Sequence, residues 1–243
     1  MSMSNAPQLV VALDFHSAQP ALQLATQLRH VVPWCKVGME LFTLAGPRIL
    51  SDLAKMNFKI FLDLKFYDIP NTVAKAVKAA SAVGVNMITL HCQGGERMCR
   101  AAVESATSLP SPPLLFGVTV LTSFGAGEMP GVQLDPTEFA PQLARCATQW
   151  GLDGVVCSGH EVAAIKKSCP SLRCLCPGIR PAGVAADDQR RVMTPADAIS
   201  AGADFLVIGR PITSAPDPLK AACQIKDEIL LAVQSTHDNN APF

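Results

Sequence analysis

Eight short apolar runs, rich in β-branched residues, alternate one for one with segments of helical period along the chain. The runs are LVVALDF (9–15), CKVGM (35–39), FKIFLDLKF (58–66), MITLHC (87–92), LLFGVTVL (114–121), GVVCS (154–158), RCLCPGI (173–179) and FLVIGR (205–210). Helical stretches lie between them at Ala18–His30, Pro47–Met56, Thr72–Val83, Glu96–Thr107, Thr137–Gln149, Glu161–Lys167 and Pro195–Ala201, and a last one, Pro218–Val233, follows the eighth run. Parallel strands need a long crossover, which a helix supplies in a right-handed sense, so strict alternation predicts a parallel sheet. Eight repeats within 243 residues, without a linker or composition shift, predict a single α/β domain over 1–243. A closed (β/α)8 TIM barrel fits this count better than an open doubly wound sheet. No GxGxxG follows the first run, which weakens a dinucleotide-binding alternative. The terminal segments 1–7 and 235–243 are expected to fray.

Charge balance narrows the partners. Lys and Arg total 20 and Asp and Glu total 20, so no global field recruits nucleic acid or an anionic membrane. Aromatic residues make up 5%, which disfavours platforms for stacking bases. The longest uncharged stretch, Ser105 to Gly127, is broken by Pro110, Pro112 and Pro113 and does not read as a spanning helix. The opening MSMSNAPQ lacks the basic and apolar regions of a signal peptide, and a cytoplasmic location is expected. Nine cysteines occur without CxxC spacing, and small reduced core residues are the expected role. His91 and His160 have no ligand-spaced partner and are read as structural, so no metal site is expected.

Alternation within the strands sorts the charges. In the third run Ile60, Leu62, Leu64 and Phe66 share one apolar face, while Lys59, Phe61, Asp63 and Lys65 share the other. If the apolar faces pack under helices, Asp14, Lys36, Asp63 and Lys65 all project into the barrel. All but Lys36 fall near the carboxyl ends of their strands, where barrels carry their chemistry. The plainer reading is an ion-pair network closing the barrel, or strand-end charges that reach water. The segment DLKFYDIPNT adds Asp68 in the next loop, so Lys65 stands between two carboxylates if all three converge and stays an ammonium. Such a lysine donates a proton and stabilises a carbanion; a Schiff-base nucleophile needs a neutral amine.

The loops after the seventh and eighth runs form a second group. Arg180 follows PGI, the segment AADDQRR carries Gln189, Arg190 and Arg191, and the eighth run ends on Gly209 and Arg210. Arginine grips phosphate oxygens in bidentate fashion, glycine admits a close backbone N–H, and this fold binds phosphate at these two loops. Arginines on a surface loop and a glycine in a tight turn are the plainer alternative. Thr122, just past the fifth run, adds a hydroxyl at the same rim, with a turn or cap as its ordinary role.

Taken together, VALDF, KVGMELF, LDLKFYDIPNT, VTVLTS, PGIRP with DQRR, and IGRP resemble the orotidine 5′-phosphate decarboxylase family over nearly the whole chain. DxKxxD followed directly by IPNT is the specific part. The resemblance implies conversion of orotidine 5′-monophosphate to UMP and carbon dioxide, the last step of UMP synthesis, by the bacterial monofunctional type without metal or organic cofactor. It implies that Asp14 and Lys36 contact the ribose hydroxyls and that Lys36 joins the charge network. Asp63 would sit by the substrate carboxylate, and Lys65 would protonate the pyrimidine carbon as carbon dioxide leaves. Asp68 and Thr72 would reach into the neighbouring subunit's site of a homodimer. Thr122 would lie near the pyrimidine, with Arg180, Gln189, Gly209 and Arg210 on the phosphate.

The chemistry agrees. This decarboxylation leaves a carbanion without an adjacent π system to delocalise it, so preorganised charge must stabilise it. Phosphate binding, remote from the reacting carbon, would supply energy to close the loop 178–191 and expel water. Two rivals remain: a magnesium-dependent sugar-phosphate barrel enzyme such as a hexulose-phosphate synthase, and a non-catalytic barrel that binds a phosphate ligand.

Overall fold

All eight expected strands form and pair in sequence order, β1 with β2 through to β8, which returns to β1 and closes a parallel barrel. The computed structural model describes residues 6–129, 131–181 and 192–238, the side chains of 237 and 238 excepted. In chain order the elements are β1 (Gln8–Ala12), α1 (Ala18–Leu28), β2 (Trp34–Gly38), α2 (Met39–Ala45), α3 (Arg48–Lys55), β3 (Lys59–Phe66) and α4 (Pro70–Ala82). There follow β4 (Met87–His91), a 3-10 turn at Cys92–Gly94, α5 (Gly95–Thr107), β5 (Leu114–Val118), α6 (Pro136–Trp150), β6 (Gly154–Val156) and α7 (Gly159–Ser168). The chain continues through β7 (Arg173–Cys176), α8 (Pro195–Ser200), β8 (Phe205–Ile208), α9 (Arg210–Thr213) and α10 (Pro218–Asp238).

The strands stop earlier than their apolar runs. β1 ends at Ala12, β5 at Val118, β7 at Cys176 and β8 at Ile208, and the remainder of each run forms the barrel mouth. For β7 the reason is local: Pro177 has no N–H to donate, and Gly178 takes a φ of 77° that leaves the strand region. Two short helices, α2 and α9, fall where the sequence reading had loops. At the far end α10 runs to Asp238, so 235–238, expected to fray, are helical. There the Ser235 hydroxyl donates to the Leu231 carbonyl at 3.0 Å and Thr236 to that of Val233 at 2.8 Å.

Strand alternation partitions the core as expected. Val10, Ala12, Trp34, Phe61, Met87, Phe116, Val118, Val156, Leu175, Phe205 and Val207 fill the barrel interior, and the opposite faces pack beneath the helices. Phe205 meets Trp34 and Phe116 edge-on, each at 5.6 Å between centroids, so the amino-terminal half is plugged by aromatic rings. Gly154 makes room for this plug, since a Cβ there would strike the Phe116 ring and lie 2.7 Å from the Arg173 carbonyl.

A repeated clamp secures the amino-terminal rim. Asn86, Asp153 and Asp204 immediately precede β4, β6 and β8. Their side-chain oxygens accept the backbone N–H of Ile60 (2.8 Å), Leu115 (2.8 Å) and Cys174 (2.7 Å) on the preceding strand. Their carbonyls accept the N–H of Leu114 (2.9 Å), Arg173 (3.4 Å) and Gln8 (2.8 Å) on the next strand around the barrel. The carboxyl-terminal rim lacks this treatment among the described residues, and it is there that the charged side chains gather.

Candidate active site

Four charges line up across three strands. Asp14, just beyond β1, accepts a hydrogen bond from Lys36 Nζ at 2.8 Å. The same ammonium lies 3.8 Å from Asp63 Oδ2, and Lys65 Nζ lies 2.9 Å from both oxygens of Asp63. The result is an alternating Asp–Lys–Asp–Lys array. Its centre is sheltered, with the Lys36 and Asp63 side chains 11% and 13% exposed against 59% for Asp14. Gly38 makes this pairing possible: a Cβ there would lie 3.0 Å from Lys36 Nζ and 3.1 Å from Asp14 Oδ1. The sequence reading missed that role, although a glycine two residues after an inward lysine carries the signal.

Lys65 reaches the array through an irregular backbone. β3 and β4 are in register at Leu62 opposite Ile88, and again at Phe66 opposite Leu90. Asp63, Leu64 and Lys65 therefore face a single residue, Thr89, in a bulge that re-aims the side chain. Lys65 takes a φ of 51°, a left-handed conformation that costs a residue with a Cβ about 1–2 kcal/mol. Its displaced N–H donates to the Thr89 hydroxyl at 3.0 Å, and that hydroxyl donates to Asp63 Oδ1 at 3.0 Å. Thr89 is fully buried and was not among the residues expected at the site.

His91, at the end of β4, stacks at a tilt on Tyr67 with centroids 5.5 Å apart. Burial, and secondly the Lys65 ammonium, hold its imidazole below the ordinary value against the smaller pull of Asp63. The histidine read as structural thus borders the charged array.

Continuing around the mouth from the array lie Arg180 beyond β7, Gly209 just before α9, and Arg210 and Thr213 at the two ends of α9. Arg180 is 6% exposed, and its backbone N–H donates to the Met193 carbonyl at 2.9 Å. A cavity of about 440 Å3 joins the two sides, and its walls include Asp14, Lys36, Asp63, Lys65, Thr122, Arg180, Gly209 and Arg210. Its floor is apolar, formed by Ala12, Phe61, Val156, Leu175 and Val207. One wall thus offers a neutral set of paired charges, the other two guanidinium groups, and the floor a flat ring's worth of apolar surface.

Three expected site residues are not in that wall. Asp68 and Thr72 are exposed, and Asp68 accepts the N–H of Ile69 at 2.6 Å. Asp68 does not line the cavity beside Asp63 and Lys65, so within this chain the condition that all three converge is not met, and Asp63 is the group held between two opposite charges. Gln189, with Arg190 and Arg191, lies outside the described residues. Among the described residues no three His, Cys, Asp or Glu side chains are grouped to hold a metal ion. No helix of the described residues is long and apolar enough to cross a membrane.

A parallel barrel with paired lysines and aspartates at its carboxyl mouth, and two arginines on the same cavity above an apolar floor, is a barrel built to hold an anionic ligand at its mouth. The chain belongs to the "Orotidine 5'-phosphate decarboxylase / HUMPS family", whose model matches residues 7–225. It is 56% identical over 228 residues to an orotidine 5'-phosphate decarboxylase of Nitratidesulfovibrio vulgaris, covering 91% of this chain and 97% of that protein. A relative of the same name from Lawsonia intracellularis is 51% identical over 227 residues, covering 92% and 99%. Among solved structures, the orotidine 5'-phosphate decarboxylase of Lactobacillus acidophilus superposes with a TM-score of 0.82 at 36% identity, covering 92% of this chain and 99% of that one.

Proposed function

We propose that this chain decarboxylates orotidine 5′-monophosphate to UMP and carbon dioxide with its own side chains alone, as a carboxy-lyase of pyrimidine biosynthesis. The observation that carries the reading is the Asp14–Lys36–Asp63–Lys65 array with Arg180 and Arg210 on the same cavity. The guanidinium groups hold the phosphate, and Asp14 and Lys36 the ribose hydroxyls. The pyrimidine lies on the apolar floor with its carboxylate toward Asp63 and Lys65. The bond from ring carbon to carboxylate breaks, its electron pair stays on the carbon, and carbon dioxide leaves. The Lys65 ammonium stabilises that pair and delivers a proton to the same carbon; solvent returns the proton after UMP departs. The lysine is already in place and charged, so no reorganisation accompanies the step.

Loss of orotidine monophosphate absorbance with purified protein, after exhaustive chelation and dialysis, tests this directly. Full turnover is expected. Activity lost on chelation and restored by magnesium identifies the sugar-phosphate rival instead, and nucleotide binding without turnover identifies a non-catalytic barrel.

The working unit is a homodimer. Tyr67, Ile69 and Met39 present exposed apolar surface around the mouth, at 62%, 66% and 51%, and Asp68, exposed between Tyr67 and Ile69, does not line its own chain's cavity. A second copy covering this surface brings Asp68 and Thr72 to the neighbouring site. Unfolding and reassembling Lys65→Ala together with Asp68→Ala protein discriminates the arrangements. In trans, each mixed dimer has one intact site of two. Half the dimers are mixed, so about a quarter of wild-type activity returns. In cis, every site keeps a lesion and none returns. Nine free thiols, seven of them buried, fit a reducing cytoplasm, and burial pushes the Cys99 thiol up to about 12.

A further inference from the structure

Thr89 stands where the strain of the site is held. Its hydroxyl bonds to both halves of the Asp63–Lys65 pair: it accepts the Lys65 N–H and donates to Asp63 Oδ1, each at 3.0 Å. The Lys65 N–H needs this acceptor because the bulge has removed its ladder partner on β4. With Lys65 at a φ of 51°, its ammonium meets both Asp63 oxygens at 2.9 Å. Thr89 is fully buried in the middle of β4, inward-facing by strand alternation. It does not line the cavity, so the hydroxyl touches no ligand there.

We infer that Thr89 is a positioning residue for the decarboxylation, acting through Lys65. Its hydroxyl fixes the left-handed peptide of Lys65 and the carboxylate orientation of Asp63 as one unit. This rests on the proposed reaction for its kinetic consequence, but the backbone consequence stands without it. Valine at this position keeps the shape and deletes the hydroxyl; the Lys65 N–H then loses its acceptor, the peptide relaxes toward the ordinary strand region, and Nζ leaves its place. Phosphate and ribose contacts come from β1, β2, β7 and β8 and do not move.

The test is Thr89→Val beside Thr89→Ser, with rates expressed per UMP-binding site so that unfolded protein does not count. For Thr89→Val, kcat per site falls by about ten- to a hundredfold while KM stays within about threefold, since a misplacement of about an ångström costs this much in rate. Thr89→Ser, which keeps the hydroxyl, returns kcat to within about threefold of wild type. A Thr89→Val rate within about fivefold of wild type per site overturns the inference. So does a serine variant as slow as the valine one, because the methyl group would then be what matters. A crystal structure of Thr89→Val is the second readout: Lys65 leaves positive φ, and its retention there overturns the inference. A wild-type protein that does not turn over the nucleotide would sink the functional reading while that structural arm still decides the role of Thr89.

Discussion

Lys65→Ala protein binds UMP with an affinity within about fivefold of wild type and decarboxylates at least about a thousandfold more slowly. The asymmetry follows from where the charge develops. In the proposed reaction product and ground state are held by Arg180, Arg210, Asp14 and Lys36, which line the cavity and which the substitution leaves alone. In that reaction Lys65 meets an electron pair that exists only as the carboxylate departs, so its loss is expected to fall on the transition state. The fold survives, because Asp63 keeps Lys36 at 3.8 Å and the Thr89 hydroxyl at 3.0 Å. The left-handed backbone at this position remains strained for alanine, so the bulge is retained by Thr89 and not by side-chain preference. Calorimetric titration with UMP beside single-turnover absorbance checks both halves. Near-normal turnover removes Lys65 from the mechanism; loss of UMP binding moves it to the ground-state machinery.

Arg210→Ala gives the opposite pattern. KM for the nucleotide rises, and UMP affinity falls, by about a hundredfold, the worth of two charge-assisted hydrogen bonds from one guanidinium. Arg210 is solvent-exposed at the start of α9, so the melting temperature hardly changes. Guanidinium ion added to the assay restores part of the lost activity, since the cavity left behind has the shape of the missing group. Unchanged UMP affinity would take the phosphate away from this wall.

Much of this site is legible in the sequence because period two is unambiguous where one strand face is wholly apolar. Ile60 and Leu62 point outward in β3, which leaves Asp63 no place but the barrel. Lys65 was placed correctly on the same face, yet by a route alternation does not contain, since a bulge and a positive φ intervene. Lysine has no preference for such a backbone, so no residue marks it. Thr89 is equally silent, a β-branched residue at an inward strand position, indistinguishable there from a packing threonine. The short helix α2 lacked a capping residue, with Gly38 before it and no side-chain cap bond. Asp68 lies in an exposed loop outside the cavity wall, and strand alternation says nothing about the direction of a residue beyond the strand end. The charged pattern in the sequence names the participants, and the geometry assigns which carboxylate stands between which lysines.

The clamps at the amino-terminal rim bear on how the barrel opens. Asn86, Asp153 and Asp204 each hold the strand behind and the strand ahead, so no seam between β3 and β1, counted through β8, can part without disturbing its neighbour. Opening that rim therefore breaks bonds to two strands at once, and amide exchange at Ile60, Leu115 and Cys174 is expected to be slow and collective. The molecule is a cup with a fused base: its side-chain clasps tie alternate strands together at the end remote from the cavity, and leave the rim that carries the charges free of such ties among the described residues.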